Sequence, residues 1–289
     1  MRISRLRGWQ LGFGALALVA VGCEDPLKPG QRLDEPRVLG VRVSNSMDGG
    51  ALLIPGQAAE LEVLVAAPEG PVAARLAYRI CRAADSQRDV PYCAENAFAQ
   101  GELEVSATRI AFDVPAGLAP GARVAVLGVV CIGGEPLLAE EPLDFRCSNA
   151  VPPLRLSFDA QVADDSGFNA NPDLSELQVE IAGQLIPLSE ASVAASCEDT
   201  TPVLPPSAKL ELRLEVGARA REAGEELQLS HFSTLGELER QYSFISAGAP
   251  TALNIEWDSR GVSGAVKQYV VVRDGRGGVS WASFGFCVR

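Results

Sequence analysis

The sequence predicts an all-β chain made of two tandem β-sandwiches. Three observations carry that expectation. Short apolar runs recur with period-two alternation, and Gly and Pro punctuate them. Helical periodicity sustained over about 11 residues or more is hard to find beyond the first 22 residues. A polar, turn-rich stretch at 164–173 (DDSGFNANPD) divides the chain into halves of the same texture.

The elements follow in order. Val38 to Ser44 is the first strand-like run, and Ile54-Pro55-Gly56 turns into a second at Ala59 to Val65. Leu76 to Cys81 follows, then Thr108 to Val114, which alternates again. Pro120-Gly121 leads into Ala122 to Val130, an almost wholly apolar run suited to a central strand, and Leu154 to Val162 closes the first domain, placed at 37–163. In the second domain, 174–289, Leu177 to Ala182 starts the series. Leu210, Leu212, Leu214 and Val216 then alternate with Glu211, Arg213 and Glu215, the pattern of a half-buried strand. Leu227 to Ser233, Ala252 to Trp257 and Val266 to Arg273 follow. Asp274-Gly275-Arg276-Gly277-Gly278 reads as a tight hairpin turn into Val279 to Cys287, because glycine adopts positive φ at little cost.

The amino terminus says where the protein lives. Arg2, Arg5 and Arg7 precede an uncharged, mostly apolar run from Leu11 to Val21, and small residues lead into Cys23. That layout reads as a secretory signal over residues 1–22. The run is too short to span a bilayer as a helix, which needs roughly 20 residues. Ala20-Val21-Gly22-Cys23 resembles the lipobox of bacterial lipoproteins, with Ala20 where the usual box has Leu. The resemblance implies cleavage before Cys23, a diacylglycerol on its thiol and a fatty acid such as palmitate on the new amino terminus. Each buried CH₂ contributes roughly 0.8 kcal/mol, so two or three chains hold a protein firmly where one does not. Residues 23–36 are polar and Pro-rich and are read as the lipidated cysteine and its extended tether.

Removing the signal takes three arginines and no acid, so the net charge moves from −12 to −15. Such a surface argues against nucleic acid and against flat binding to anionic lipid. Seven cysteines become six once Cys23 is acylated: Cys81, Cys93, Cys131, Cys147, Cys197 and Cys287. In an exported chain these are disulfide candidates, and 15 pairings are open. Strand ends favour Cys81–Cys93 and Cys131–Cys147 in the first domain and Cys197–Cys287 in the second.

The segments LSHFSTLGELERQYSF, VKQYVVVRDGRGGVSW and IPGQAAELEVLVAAPEGPVAARLAYRIC carry a further resemblance. Over most of residues 36–289 the chain resembles lipoproteins of high-GC Gram-negative bacteria with tandem immunoglobulin-like, cadherin-like or PKD-like sandwiches. This implies two immunoglobulin-like domains behind a lipoprotein signal and no catalytic residue.

His231 is the only histidine, and the expectation is a partly exposed strand residue rather than a general base beside Ser230 or Ser233. A serine triad needs an oriented nucleophile and an oxyanion hole, and no GxSxG elbow occurs. Gly275 to Gly278 reads as a hairpin, not a phosphate loop. Asp164, Asp165, Asn169, Asn171 and Asp173 gather oxygen ligands at the domain junction, where calcium could stiffen a linker; ordinary turn chemistry is the preferred reading and no metal is expected. Glu140-Glu141 and Glu225-Glu226 are adjacent residues, which point to opposite faces of a strand and so cannot act as a facing pair. Trp257 and Trp281 could stack on a sugar, though core filling is the commoner use.

The functional expectation is a non-enzymatic lipoprotein with no cofactor. It would be held in the outer membrane, facing the periplasm or displayed at the cell surface, with a structural or protein-interaction role toward an envelope protein partner. A carbohydrate- or matrix-binding surface protein is the alternative, and a hydrolase the third reading.

Overall fold

The computed structural model describes residues 30–68, 74–84, 92–94, 96–104, 109–137, 146–149, 151–164, 168–186, 188, 197–198, 202–206 and 209–289. The signal segment, Cys23, Asp165, Glu140 and Glu141 lie outside the described residues.

The first sandwich uses β1 (Arg37–Asn45), β2 (Ala58–Ala66), β3 (Ala74–Arg82), β4 (Ala99–Glu104), β5 (Arg109–Asp113), β6 (Arg123–Ile132), the two-residue pair β7 (Pro136–Leu137) and β8 (Arg146–Cys147), and β9 (Leu154–Gln161). Its sheets run β1-β2-β5 and β4-β3-β6-β9, antiparallel throughout. Alternation sets the inner face: Ala59, Leu61 and Val63 of β2 and Ile110 and Phe112 of β5 are buried, while Glu60, Arg109 and Asp113 point to water.

The second sandwich uses β10 (Gln178–Ile181), β11 (Gln184–Ile186), β12 (Val203–Leu204), β13 (Leu210–Glu215), β14 (Leu227–Ser233), β15 (Glu237–Leu238), β16 (Tyr242–Ile245), β17 (Ala252–Asp258), β18 (Gly264–Arg273) and β19 (Val279–Val288). Its sheets run β11-β10-β13-β17-β15 and β12-β19-β18-β14-β16. The core of each order repeats the first sandwich: β10-β13-β17 matches β1-β2-β5, and β16-β14-β18-β19 matches β4-β3-β6-β9. The chain is therefore all-β, with one sandwich topology used twice. Trp257 fills the second core at 0% exposure, edge-on to Phe286 with ring centroids 5.0 Å apart.

The apolar run that becomes β6 is buried on both faces for two different reasons. Its inner residues Val124, Val126 and Val130 meet the opposing sheet. Its outer residues pack with the two disulfides of this sandwich. Cys81, Ala83 and Cys93 pack on Ala125 and Leu127, and Cys147 packs on Ala77, Val129 and Cys131. Gly128 marks the closest approach within this strand, since a Cβ there would stand 2.5 Å from the Ala77 carbonyl oxygen.

The disulfides are Cys81–Cys93, Cys131–Cys147 and Cys197–Cys287. The last ties the chain ahead of β12 to β19, where β12 adds in parallel through Val203 opposite Cys287. It closes 90 residues, against 12 and 16 for the other two.

The tether expected over 23–36 is not all spacer. The chain from Gly30 to Leu33 lies against the second sandwich, with Arg32 bridging Ser233 in parallel. The Ser233 amide donates to the Gln31 carbonyl at 2.9 Å, the Leu33 amide donates to the Ser233 carbonyl at 2.9 Å, and Leu33 is fully buried. A buried leucine and a free strand edge outweigh the extended preference of the Pro-rich composition.

Peptide mapping under non-reducing conditions should recover these three linkages. Cys197→Ala with Cys287→Ala should lower the unfolding free energy of the second sandwich by about 4–5 kcal/mol, and the Cys81/Cys93 pair of alanines that of the first by about 3 kcal/mol, read from urea melts.

Candidate functional site

Polar groups of the described residues gather at the junction between the sandwiches. It starts from the linker Phe168 to Asp173 and the hairpin turn Asp274 to Gly278. Asp274 is buried, and its Oδ1 accepts from the Arg276 amide at 2.7 Å and the Gly278 amide at 2.9 Å. A Cβ at Gly278 would collide with that carboxylate and come within 2.7 Å of the Ala170 carbonyl, so glycine is needed there for approach. Asn169, 1% exposed, donates from Nδ2 to Asp274 Oδ2 at 3.0 Å and to the Arg276 carbonyl at 3.2 Å. Its own carbonyl accepts from the Ala51 amide at 2.8 Å.

Asn171 spans the two domains with one amide. Nδ2 donates to the Val43 carbonyl in β1 at 2.7 Å, and Oδ1 accepts from the Val279 amide in β19 at 2.9 Å. Beneath these bonds lies an apolar seam. Leu39 and Ala66 of the first sandwich and Leu33 of the entering chain pack with Phe232, Tyr269, Val271 and Val279 of the second. Arg273 donates to the Leu39 carbonyl at 3.1 Å, and the Arg42 guanidinium sits 4.8 Å over the Trp281 ring. Burial pushes the Tyr269 phenol up to about 12.

The residues singled out as calcium candidates therefore take different partners. Asn169 meets Asp274, and Asn171 bridges Val43 and Val279. Asp173 accepts from the Ser175 amide at 2.9 Å, and that bond, then the Ser175 hydroxyl, hold its carboxyl below the usual range. Asp164 lies beside Gly121 in the turn before β6. Among the described residues no group of three His, Cys, Asp or Glu is placed to hold a metal ion. The Asn signal in the linker was visible, but its use as a cross-domain latch depends on partners more than 100 residues away.

His231 departs from the expectation of partial exposure. It is 2% exposed on the inner face of β14, with Nε2 3.0 Å from Ser243 Oγ. Ser230 and Ser233, the serines considered beside it, are engaged elsewhere, with Arg273 and the Leu235 carbonyl. Burial, and then the charge of Arg240, lower its pKa from 6.5 to about 3. Arg240 Nε also donates to Ser243 Oγ at 3.0 Å, so this hydroxyl already accepts a bond from a cation. The imidazole is neutral across ordinary pH and poorly suited to take a proton.

The remaining candidates take structural places, and Glu225 departs from the expected solvated strand position: it is buried, outside any strand, and ion-paired. Gly275 to Gly278 is the β18–β19 hairpin, and Glu225 accepts from Arg276 Nη1 at 2.7 Å. Trp257 donates to the Leu235 carbonyl at 3.1 Å, and Trp281 lies in the seam, so Trp257 has no free face for a sugar. A shallow depression on the outer face of β10, β13 and β17 is lined by Glu180, Glu211, Arg213 and Asn254.

No protein-family profile matches the chain, and no curated protein does. Among solved structures, a crystal structure of chicken CNTN1 FN1-FN3 domains is similar at 10% identity and a TM-score of 0.25, covering 88% of this chain and 68% of that one. Escherichia coli alpha-2-macroglobulin activated by porcine elastase is similar at 11% identity and a TM-score of 0.24, with 91% of this chain and 22% of that chain covered.

Two outcomes follow. Asn171→Ala removes a two-ended bond and leaves two backbone groups to find water; we expect a loss of about 1–3 kcal/mol, seen as a single calorimetric transition splitting toward two. The folded chain refuses a proton that the unfolded chain accepts at His231 below pH 6.5. The stability held there is whole above pH 6.5 and is lost as pH falls toward 3, a swing of roughly 3–5 kcal/mol. His231→Gln should flatten that part of the acid melting profile.

Proposed function

We propose that this chain is an exported lipoprotein, acylated at Cys23, that serves the cell envelope as a rigid non-enzymatic interaction or scaffolding module. The observation that carries the reading is the order of the amino terminus: positive start, short apolar run, small residues, cysteine. Two features support it. Six described cysteines are paired in three disulfides, the state expected of an oxidising compartment. The anchor point lies close to the body in sequence, because Gly30, which abuts the second sandwich, is seven residues after Cys23.

The non-enzymatic part rests on chemistry. The lone histidine is buried, neutral and hydrogen-bonded within the core. The junction spends its polar groups on joining the sandwiches, which suits a device that holds two surfaces in fixed relation. Its partner is proposed to be an envelope protein met through loops or strand edges. The carbohydrate-binding alternative loses Trp257 as a stacking platform, since that ring is enclosed.

Expressed in a Gram-negative host, the mature protein should carry a fatty-acid mass increment on a chain beginning at Cys23 and should sediment with membranes. Cys23→Ser should abolish the increment and move the protein to the soluble fraction; an unchanged distribution would overturn the reading.

A further inference from the structure

The outer face of the sheet β12-β19-β18-β14-β16 is used unevenly. Over β14, β18 and β19 it is covered by the first sandwich through Phe232, Tyr269, Val271 and Val279. At its edge, β16 presents two aromatic side chains to water. Tyr242 is 46% exposed and Phe244 70%, while their neighbours Ser243 and Ile245 face the core. Alternation places both rings on one face, two residues apart.

The same edge of β14 that pairs with β16 also receives the entering chain. Ser230 pairs with Tyr242, the His231 amide donates to the Gln241 carbonyl at 2.8 Å, and the Ser233 amide donates to Gln31. Gln31 to Leu33 and β16 thus lie end to end along β14. Gly30 abuts the Gln241 side chain, one residue before Tyr242. Gly30 lies seven positions beyond Cys23, and seven residue steps reach about 25 Å at most. The lipid attachment point is bound to this edge of the molecule by covalent length alone.

We propose that Tyr242 and Phe244 seat the protein on its own bilayer, entering the headgroup region beside the acyl chains of Cys23. The surface is a zwitterionic one: a chain of net charge −15 after cleavage is repelled by anionic lipid, so the contact is made by rings rather than by charge. Tyr carries an apolar ring with a polar tip, which suits the interface, and Phe supplies apolar area below it. The acyl chains supply affinity, and the rings set orientation, so that the tethered body stands at one angle rather than swinging. This rests on acylation at Cys23, the reading proposed above.

The test uses full-length acylated protein in phosphatidylcholine vesicles whose acyl chains carry bromine, a short-range quencher of tryptophan. Phe244→Trp is compared with Leu185→Trp. Leu185 is equally exposed at 68%, on β11 at the opposite edge of the second sandwich. We expect the added emission of Phe244→Trp to be quenched and blue-shifted, and that of Leu185→Trp to be neither. Equal quenching at the two positions overturns the proposal. So does a blue shift at 244 without quenching, which would mean that a second copy, another protein or residues 24–29 cover the edge instead. The intact mass of the same samples separates the two readings. Acylated protein without quenching at 244 sinks the seating alone, whereas protein lacking the fatty-acid increment sinks the anchor itself.

Discussion

The apolar seam between the sandwiches is the constraint on which the rest of the architecture depends. Leu33, Leu39 and Ala66 meet Phe232, Tyr269, Val271 and Val279, and this contact makes one body of two domains. Apolar contact alone is non-directional and would tolerate sliding. Asn171 removes that freedom, because its amide bonds β1 with one end and β19 with the other. The linker is thereby part of the interface, and the relative placement of the two sandwiches is specified rather than left to a hinge.

The same economy governs the outer faces of the sheets. A strand as apolar as β6 would leave Ala125, Leu127 and Val129 facing water on a bare sandwich. The disulfide partners Cys93 and Cys147, with Ala83, pack on them at Cys81–Cys93 and Cys131–Cys147. The disulfides do more than restrict the unfolded chain: each holds a small apolar cover in place. In the second sandwich the equivalent outer surface is covered by the first sandwich instead. Both solutions answer one problem, a central sheet with two apolar faces.

Elements with strong alternation were legible residue by residue. Within the run at Leu210 to Val216, Leu210 to Glu215 forms β13, and Val266 to Arg273 forms the heart of β18. The short strands at Ala99–Glu104, Glu237–Leu238 and Tyr242–Ile245 carry no pattern of their own, because edge strands of two to six residues owe their existence to a neighbour's free hydrogen-bonding edge. His231 is buried rather than partly exposed because β14 is covered on both faces, by its own core on the side of Leu227 and Leu229 and by the first sandwich on the side of Phe232. Only the pairing with β16 brings Ser243 to the imidazole.

What the sequence by itself determined is the class of fold, the turn at 274–278 and the stock of cysteines from which the bridges form, because period-two alternation, glycine at positive φ and thiol chemistry are local properties. What only the tertiary structure decided is which thiols met, which of the linker's polar residues became a latch, and that Gly30 to Leu33 docks instead of hanging free. Those outcomes are contacts between residues far apart in the chain, such as Leu33 with Ser233, 200 positions away. Their energies come from desolvation and hydrogen bonds that exist only after the sheets have assembled.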